Sequence, residues 1–140
     1  MRFSSLLLLS LALSLALLAG CAEKSSDSGG LFEKLTVEEA LKKAQEQNKL
    51  VFIDFYADWC GPCRQMDRET FSDPKIQEWL RQRFVCIKIN HDHNKELVRK
   101  YGVRSLPTFV LLTADGNQLP SVTGGSSPER FKARIESVLP

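Results

Sequence analysis

The sequence FYADWCGPC occupies residues 55–63 and joins the end of an apolar run to two cysteines, Cys60 and Cys63. Residues 50–56 are almost continuously apolar and rich in β-formers, which predicts a strand buried on both faces of a sheet. Two cysteines separated by two residues, where a strand passes into a helix, can close a small disulfide ring and reopen it without moving the fold. The stretch therefore predicts a redox-active dithiol.

Cys60 is the expected nucleophile of this pair. It is predicted at the N-terminus of a helix, where unpaired backbone N–H groups and the helix dipole favour the thiolate form. The Cys60 thiolate would attack a substrate disulfide, and Cys63 would then attack the mixed disulfide to release the reduced product. Gly61 and Pro62 restrict the ring and permit a partner backbone to approach closely.

Helices and strands alternate on either side of the dithiol. Thr36 and Glu39 form a capping-box pattern before a helix that Asn48 closes. The remaining pattern predicts helices that start near Asp73, Asn94 and Ser127, strands at residues 85–89, 108–112 and 118–123, and a short strand near residues 31–35. Alternation followed by a hairpin predicts an α/β fold with a central mixed β-sheet and helices on both faces.

Residues 55–63, with Leu106-Pro107-Thr108 downstream, resemble the thioredoxin family, and the resemblance covers about residues 35–139. The resemblance implies a thioredoxin fold and a protein that exchanges disulfides with protein substrates. By the same resemblance, Pro107 is a cis-proline that faces the dithiol, and Leu106 offers its backbone to an extended substrate.

The resemblance also gives roles to charged and aromatic residues near the dithiol. Asp54 matches a buried aspartate that accepts the proton of Cys63 through water, and a carboxyl in an apolar strand has a raised pKa suited to that task. Lys88 matches a buried lysine that tunes Asp54. The alternatives are an inert structural acid for Asp54 and a lysine that extends from a sheet edge for Lys88. Trp59 is expected to shield the site or to contact substrate.

Residues 70–74, TFSDP, are similar to the C-terminal thioredoxin domain of DsbD, a periplasmic disulfide reductase. Gly61-Pro62 is instead thioredoxin-like, and Tyr56 stands where thioredoxin has tryptophan. The Gly61-Pro62 pair and the resemblance to DsbD favour a reductase of protein disulfides, in cytochrome c maturation or disulfide correction, that a membrane thiol donor of the DsbD type recharges. The alternatives are a disulfide-donating oxidant, a dithiol carrier of copper(I), and a binding module with a static disulfide.

Residues 1–20 read as a lipoprotein signal peptide: Arg2 precedes an uncharged run of Leu, Ala and Ser that is too short for a permanent membrane span. The run ends in Leu-Ala-Gly before Cys21, which resembles a lipobox and makes Cys21 the expected lipidation site. An ordinary secretory signal is the alternative. Residues 21–30 are then a flexible tether and residues 31–140 the folded domain, held at a bacterial membrane and facing the periplasm or the cell exterior.

Composition excludes several other classes of protein. The 140 residues are 43% hydrophobic and 26% charged, as in one soluble globular domain. With 19 basic and 17 acidic residues, no electrostatic footprint for nucleic acid is present. We expect no cofactor and no metal, because a lone C-x-x-C supplies only half of a zinc site. His91 and His93 are interpreted as polar loop residues, Cys86 as a buried unreactive thiol or a third redox cysteine, and the protein as a monomer.

Overall fold

The computed structural model describes residues 30–140. The predicted signal peptide, lipidation site and most of the tether therefore lie outside the described residues. The elements follow the order α1 (Val37–Gln47), β1 (Leu50–Tyr56), α2 (Gly61–Gln65), a π-helical segment (Met66–Thr70), α3 (Pro74–Arg83), β2 (Phe84–Asn90), α4 (Lys95–Lys100), β3 (Thr108–Leu112), β4 (Val122–Thr123) and α5 (Pro128–Glu136).

Four strands form one mixed sheet in the order β2-β1-β3-β4. β1 pairs in parallel with β2 and antiparallel with β3. Successive side chains of β1 point to opposite faces of the sheet, so Phe52 enters one core and Val51 and Ile53 enter the other. This explains the almost continuous apolar run in the sequence and confirms the predicted mixed sheet.

Helices cover both faces of the sheet, as predicted. On the face of Phe52, α3 and α5 contribute a buried cluster that includes Leu80 and Phe131. On the other face, α1 and α4 contribute residues that include Ala40 and Val98. The β1 strand is therefore central to both cores, and its carboxyl end leads directly into the dithiol helix.

The local signals that define α1 and α3 act as the sequence predicts. The backbone N–H of Glu39 donates to Thr36 Oγ1 at 3.2 Å while the Glu39 carboxylate accepts from the Thr36 N–H at 2.8 Å, which completes the capping box. Asn48 ends α1 in the left-handed conformation, with φ 53°. Asp73 caps α3 by accepting from the N–H groups of Lys75 and Ile76.

Two predicted strands are shorter than expected. The predicted strand at residues 118–123 is reduced to Val122–Thr123, with a separate bridge between Leu112 and Gln118. Pro120 lacks an N–H and cannot donate to the ladder, which interrupts the pairing. The strand expected near residues 31–35 is a single parallel bridge in which the Glu33 N–H donates to Cys86 O at 2.8 Å.

Candidate active site

Cys60 and Cys63 form a disulfide at the start of α2, with their Cα atoms 5.3 Å apart. Cys60 is the N-cap of this helix, and its Sγ accepts a hydrogen bond from the Cys63 backbone N–H at 3.2 Å. Both cysteines are 3% exposed, whereas Gly61 and Pro62 between them lie at the surface. The N–H directed at Cys60 Sγ stabilises negative charge there, as a nucleophilic thiolate requires.

The segment before β3 lies against the dithiol. Leu106 packs onto the small cluster of Ala57, Cys60 and Cys63. The Leu106–Pro107 peptide bond is cis, and Pro107 is buried. The structure therefore brings together the CGPC motif and the downstream segment that the sequence analysis paired with it, although the two are more than 40 residues apart in the chain.

Trp59 is 67% exposed, immediately before Cys60, and its indole is held by a polar loop. The indole N–H donates to Asp92 Oδ2 at 2.7 Å, and the other oxygen of Asp92 lies 3.1 Å from Lys95 Nζ and 3.0 Å from His91 Nδ1. These hydrogen bonds, from His91, Trp59 and Lys95 in that order, hold the pKa of the Asp92 carboxyl well below its usual range.

His91 thus belongs to the polar cluster at Asp92. Among residues 30–140, no group of three or more His, Cys, Asp or Glu side chains is arranged to hold a metal ion.

Asp54 is 2% exposed in the middle of β1, and Lys88 lies directly opposite it on β2. Lys88 Nζ is 3.3 Å from Asp54 Oδ2, whereas Asp54 Oδ1 is buried without a hydrogen-bond partner among the described residues. Burial raises the pKa of Asp54 to about 7, and the nearby Lys88 ammonium opposes that rise. The carboxyl can therefore gain or lose a proton near neutral pH.

Asp67 is a site residue that the sequence analysis missed. It lies on the π-helical segment, forms an ion pair with the same Lys88 ammonium that faces Asp54, and its negative charge contributes to the raised pKa of Asp54. The Lys88 ammonium also lies 4.9 Å from the ring centres of Tyr56 and Phe32. The available signal was the position of Asp67, four residues after Cys63 and so about one helical turn away.

Cys86 is not part of this site. It is 2% exposed and forms no disulfide, and burial raises the pKa of its thiol far above the ordinary value. A buried thiol of this kind is a poor nucleophile, which agrees with the interpretation of Cys86 as an unreactive core residue.

A mixed sheet with a CGPC disulfide at the N-terminus of the helix after its central strand defines a disulfide oxidoreductase of the thioredoxin fold. A family model described as a thioredoxin-like domain matches residues 37–139. The chain belongs to this thioredoxin-like family of disulfide oxidoreductases, which confirms the resemblance seen in the sequence.

Relatives with sequence similarity include both DsbD proteins and thioredoxins. The thiol:disulfide interchange protein DsbD of Photorhabdus laumondii is 32% identical over 112 residues, which are 75% of this chain and 20% of that protein. Thioredoxin-2 of Pyricularia oryzae is 36% identical over 108 residues, which are 76% of this chain and 58% of that protein. The chain therefore spans about a fifth of the DsbD length and somewhat more than half of this thioredoxin.

Solved structures with the same fold include the reduced C-terminal domain of DsbD from Neisseria meningitidis. It is 26% identical, with a TM-score of 0.60, and the match covers 73% of this chain and 93% of that domain. The similarity to DsbD is thus to its C-terminal domain, as the sequence analysis predicted from residues 70–74.

Proposed function

We propose that this protein is a membrane-anchored, extracytoplasmic oxidoreductase that reduces protein disulfides with the Cys60–Cys63 dithiol. The observation that carries the proposal is the Cys60–Cys63 disulfide at a helix N-terminus, with Leu106 packed against it. The similarity to the C-terminal domain of DsbD and the thioredoxin-like Gly61-Pro62 pair support the reducing direction.

In the proposed reaction the reduced protein supplies two electrons. The Cys60 thiolate attacks one sulfur of the substrate disulfide, forms a mixed disulfide and expels the first substrate thiolate. Cys63 then attacks Cys60 Sγ, which closes the Cys60–Cys63 bond and releases the second substrate thiolate. We propose that the proton lost by Cys63 passes to Asp54, whose pKa of about 7 suits a proton acceptor at neutral pH.

The same proposal assigns roles to the residues around the dithiol. Lys88 tunes the carboxyl of Asp54, and Trp59, Gly61 and Pro62 form the surface that a substrate meets. Leu106 and Pro107 hold the extended backbone next to the substrate cysteine. The exposure of Trp59, Gly61 and Pro62 supports this assignment.

Oxidised protein must be reduced again, and we propose that a membrane thiol donor of the DsbD type does this. A lipidated Cys21 with a short tether would keep the domain close to such a donor. Among residues 30–140, no helix is both long and apolar enough to cross a membrane. The proposed attachment rests instead on the lipobox-like sequence at Cys21.

The reduction potential of the Cys60–Cys63 couple tests the direction of electron flow. We would titrate the full chain in mild detergent against reference thiol buffers. A potential near that of thioredoxin, about −270 mV, supports a reductase, whereas a value near about −120 mV indicates a protein that donates its disulfide.

A Cys63→Ala variant tests the two-step exchange on protein substrates. Without the resolving thiol, mixed disulfides between Cys60 and substrate proteins should accumulate and be recovered from cells. The matched control is Cys60→Ala, which should trap nothing. The proposed exchange is wrong if the two variants trap the same proteins, or if neither traps any.

A further inference from the structure

Arg134 on α5 makes two hydrogen bonds to consecutive backbone carbonyl groups, one on the last residue of β4 and one on the residue after it. Its Nη1 donates to Gly124 O at 3.2 Å, and its Nη2 donates to Thr123 O. No carboxylate among residues 30–140 forms an ion pair with it. Since a guanidinium is a rigid planar fork, two donors on adjacent carbonyls fix the orientation of that backbone segment.

The helix that carries Arg134 is itself firmly held. Phe131 and Ile135 are both fully buried on the core face of α5, and the Phe131 ring packs at 5.2 Å, edge to face, on Phe109 of β3. Arg134 is therefore presented from a rigid support, and its reach to Thr123 and Gly124 is set by core packing.

The segment that Arg134 holds is bonded in turn to the loop beside the dithiol. Gly124 has φ 90°, a conformation that favours glycine, and its N–H donates to Pro107 O at 2.8 Å. Thr123 pairs with Thr108 across β3 and β4. Gly124 thus accepts from Arg134 on one side and donates to Pro107 on the other.

We propose that Arg134 is a positioning residue for exchange with protein disulfides. It fixes residues 123–124, and through them the Leu106–Pro107 segment against which a substrate strand docks next to its cysteine. The inference rests on the proposed function, because only an extended polypeptide would use this segment. Arg134 acts through the loop, so it should affect how a protein substrate is held and leave the intrinsic chemistry of the dithiol unchanged.

The kinetics of reduction of two disulfide substrates test this inference. We would compare wild type, Arg134→Ala, Arg134→Lys and the control Arg130→Ala, an exposed arginine on the same helix. One substrate is insulin, with dithiothreitol as reductant. The other is the small disulfide dithiobis(nitrobenzoate), which takes its two electrons from pre-reduced protein in a single turnover. For Arg134→Ala we expect KM for insulin to rise about five- to tenfold with kcat retained, as loss of charge-assisted hydrogen bonds predicts.

The small disulfide and the reduction potential separate positioning from a general structural role. The rate of reduction of the small disulfide and the reduction potential should both be unchanged in Arg134→Ala. Arg134→Lys should show a smaller rise in KM for insulin than Arg134→Ala, because its ammonium keeps the charge but lacks the planar fork. If Arg134→Ala does not fold, the Arg134→Lys variant carries the test.

The inference is wrong if KM for insulin is unchanged in the Arg134 variants. It is also wrong if both substrates are slowed equally, or if Arg130→Ala behaves in the same way. If wild-type protein does not reduce insulin at all, the proposed action on protein disulfides fails as well, and the positioning role fails with it.

Discussion

Asp54 illustrates at the scale of one residue how the fold sets the pKa of a side chain. The strand that buries Asp54 is apolar, and the single positive charge of the Lys88 ammonium is shared between Asp54 and Asp67. Desolvation therefore prevails over attraction to the ammonium, and the pKa of Asp54 is raised to about 7 from an ordinary value of 3.8. This displacement affects both the stability of the protein and its proposed chemistry.

The raised pKa predicts that stability falls as pH rises through the range between these two values. Between pH 4 and 7 the folded protein retains a proton on Asp54 that the unfolded chain has released, so rising pH favours unfolding, and the effect levels off above pH 7. Over this pH range the free energy of unfolding should fall by roughly 4 kcal/mol. Asp54→Asn should match wild type at pH 4 and be more stable at pH 8, as measured by denaturant unfolding of the oxidised protein.

The control for this stability prediction is Asp115→Asn, which changes an exposed aspartate in a turn. That variant should follow the wild-type profile. An equal loss of stability between pH 4 and 8 in Asp54→Asn and wild type would show that burial of this carboxyl does not govern the pH dependence.

The proposed proton transfer gives a second prediction for Asp54. Asp54→Asn should slow the resolution of a preformed mixed disulfide by Cys63 about 10²-fold, the usual contribution of a general base, and should slow the attack by Cys60 much less. In wild type the resolution rate should rise with pH through about 7, as the Asp54 carboxylate forms. Stopped-flow measurement of each step separates the two rates, and equal slowing of both would contradict the role of proton acceptor.

Much of the candidate site could be predicted at this scale, because its reactive residues lie close together in the sequence. Cys60 and Cys63 are separated by only two residues, and Asp54 is conspicuous as a charge in an apolar strand. Asp67 was missed because it reaches Asp54 only through Lys88, which lies 21 residues further along the chain. The ion pair between Asp67 and Lys88 depends on the change from α2 to the π-helical segment, which no residue pattern predicts.

At the scale of elements, the cap of α1 offers a direct test of local sequence signals. Thr36→Ala removes the side chain that accepts from the Glu39 N–H and leaves that donor without its partner. The free energy of unfolding should fall by about 1 kcal/mol, with the exchange rate unchanged. Chemical denaturation measures the loss, and the control Glu38→Ala alters the same first turn without touching the cap.

Element boundaries were predictable where a local cap or breaker sets them. Asn48 and Asp73 mark helix ends in the sequence as they do in the structure. The extent of β4 was overestimated because Pro120 lies inside the predicted strand and cannot donate to the ladder. The segment near Glu33 also falls short of a strand, because only one residue bridges to β2.

At the scale of the whole molecule, the mixed sheet places the reactive groups at one end of the central strand. β1 is paired on both sides and packed on both faces, and the dithiol helix follows its carboxyl end. Because β3 runs antiparallel to β1, the segment that precedes β3 lies at the carboxyl end of β1. This places Leu106 against the dithiol. The sequence order predicted this fold class, whereas the contacts of Arg134 with the β4 end depend on tertiary packing that helix periodicity does not reveal.

The proposed lipid at Cys21 makes the last prediction, which concerns where the whole molecule resides. Cys21→Ser removes the thiol that would carry the diacylglyceryl group, and two or more acyl chains are what holds a lipoprotein stably at a membrane. The variant should move from the membrane fraction to the soluble fraction on cell fractionation. Its exchange rate with a small disulfide should remain at the wild-type value, because Cys21 lies well outside the CGPC motif.

The matched control is Ala22→Ser, which introduces the same hydroxyl one residue later and keeps the thiol of Cys21. It should remain with the membranes. If Cys21→Ser also remains there, attachment depends on some other part of the chain and the lipobox interpretation is wrong. If both variants are released, the change reflects the neighbouring sequence and not the thiol, since only a loss specific to Cys21 identifies the lipidated atom.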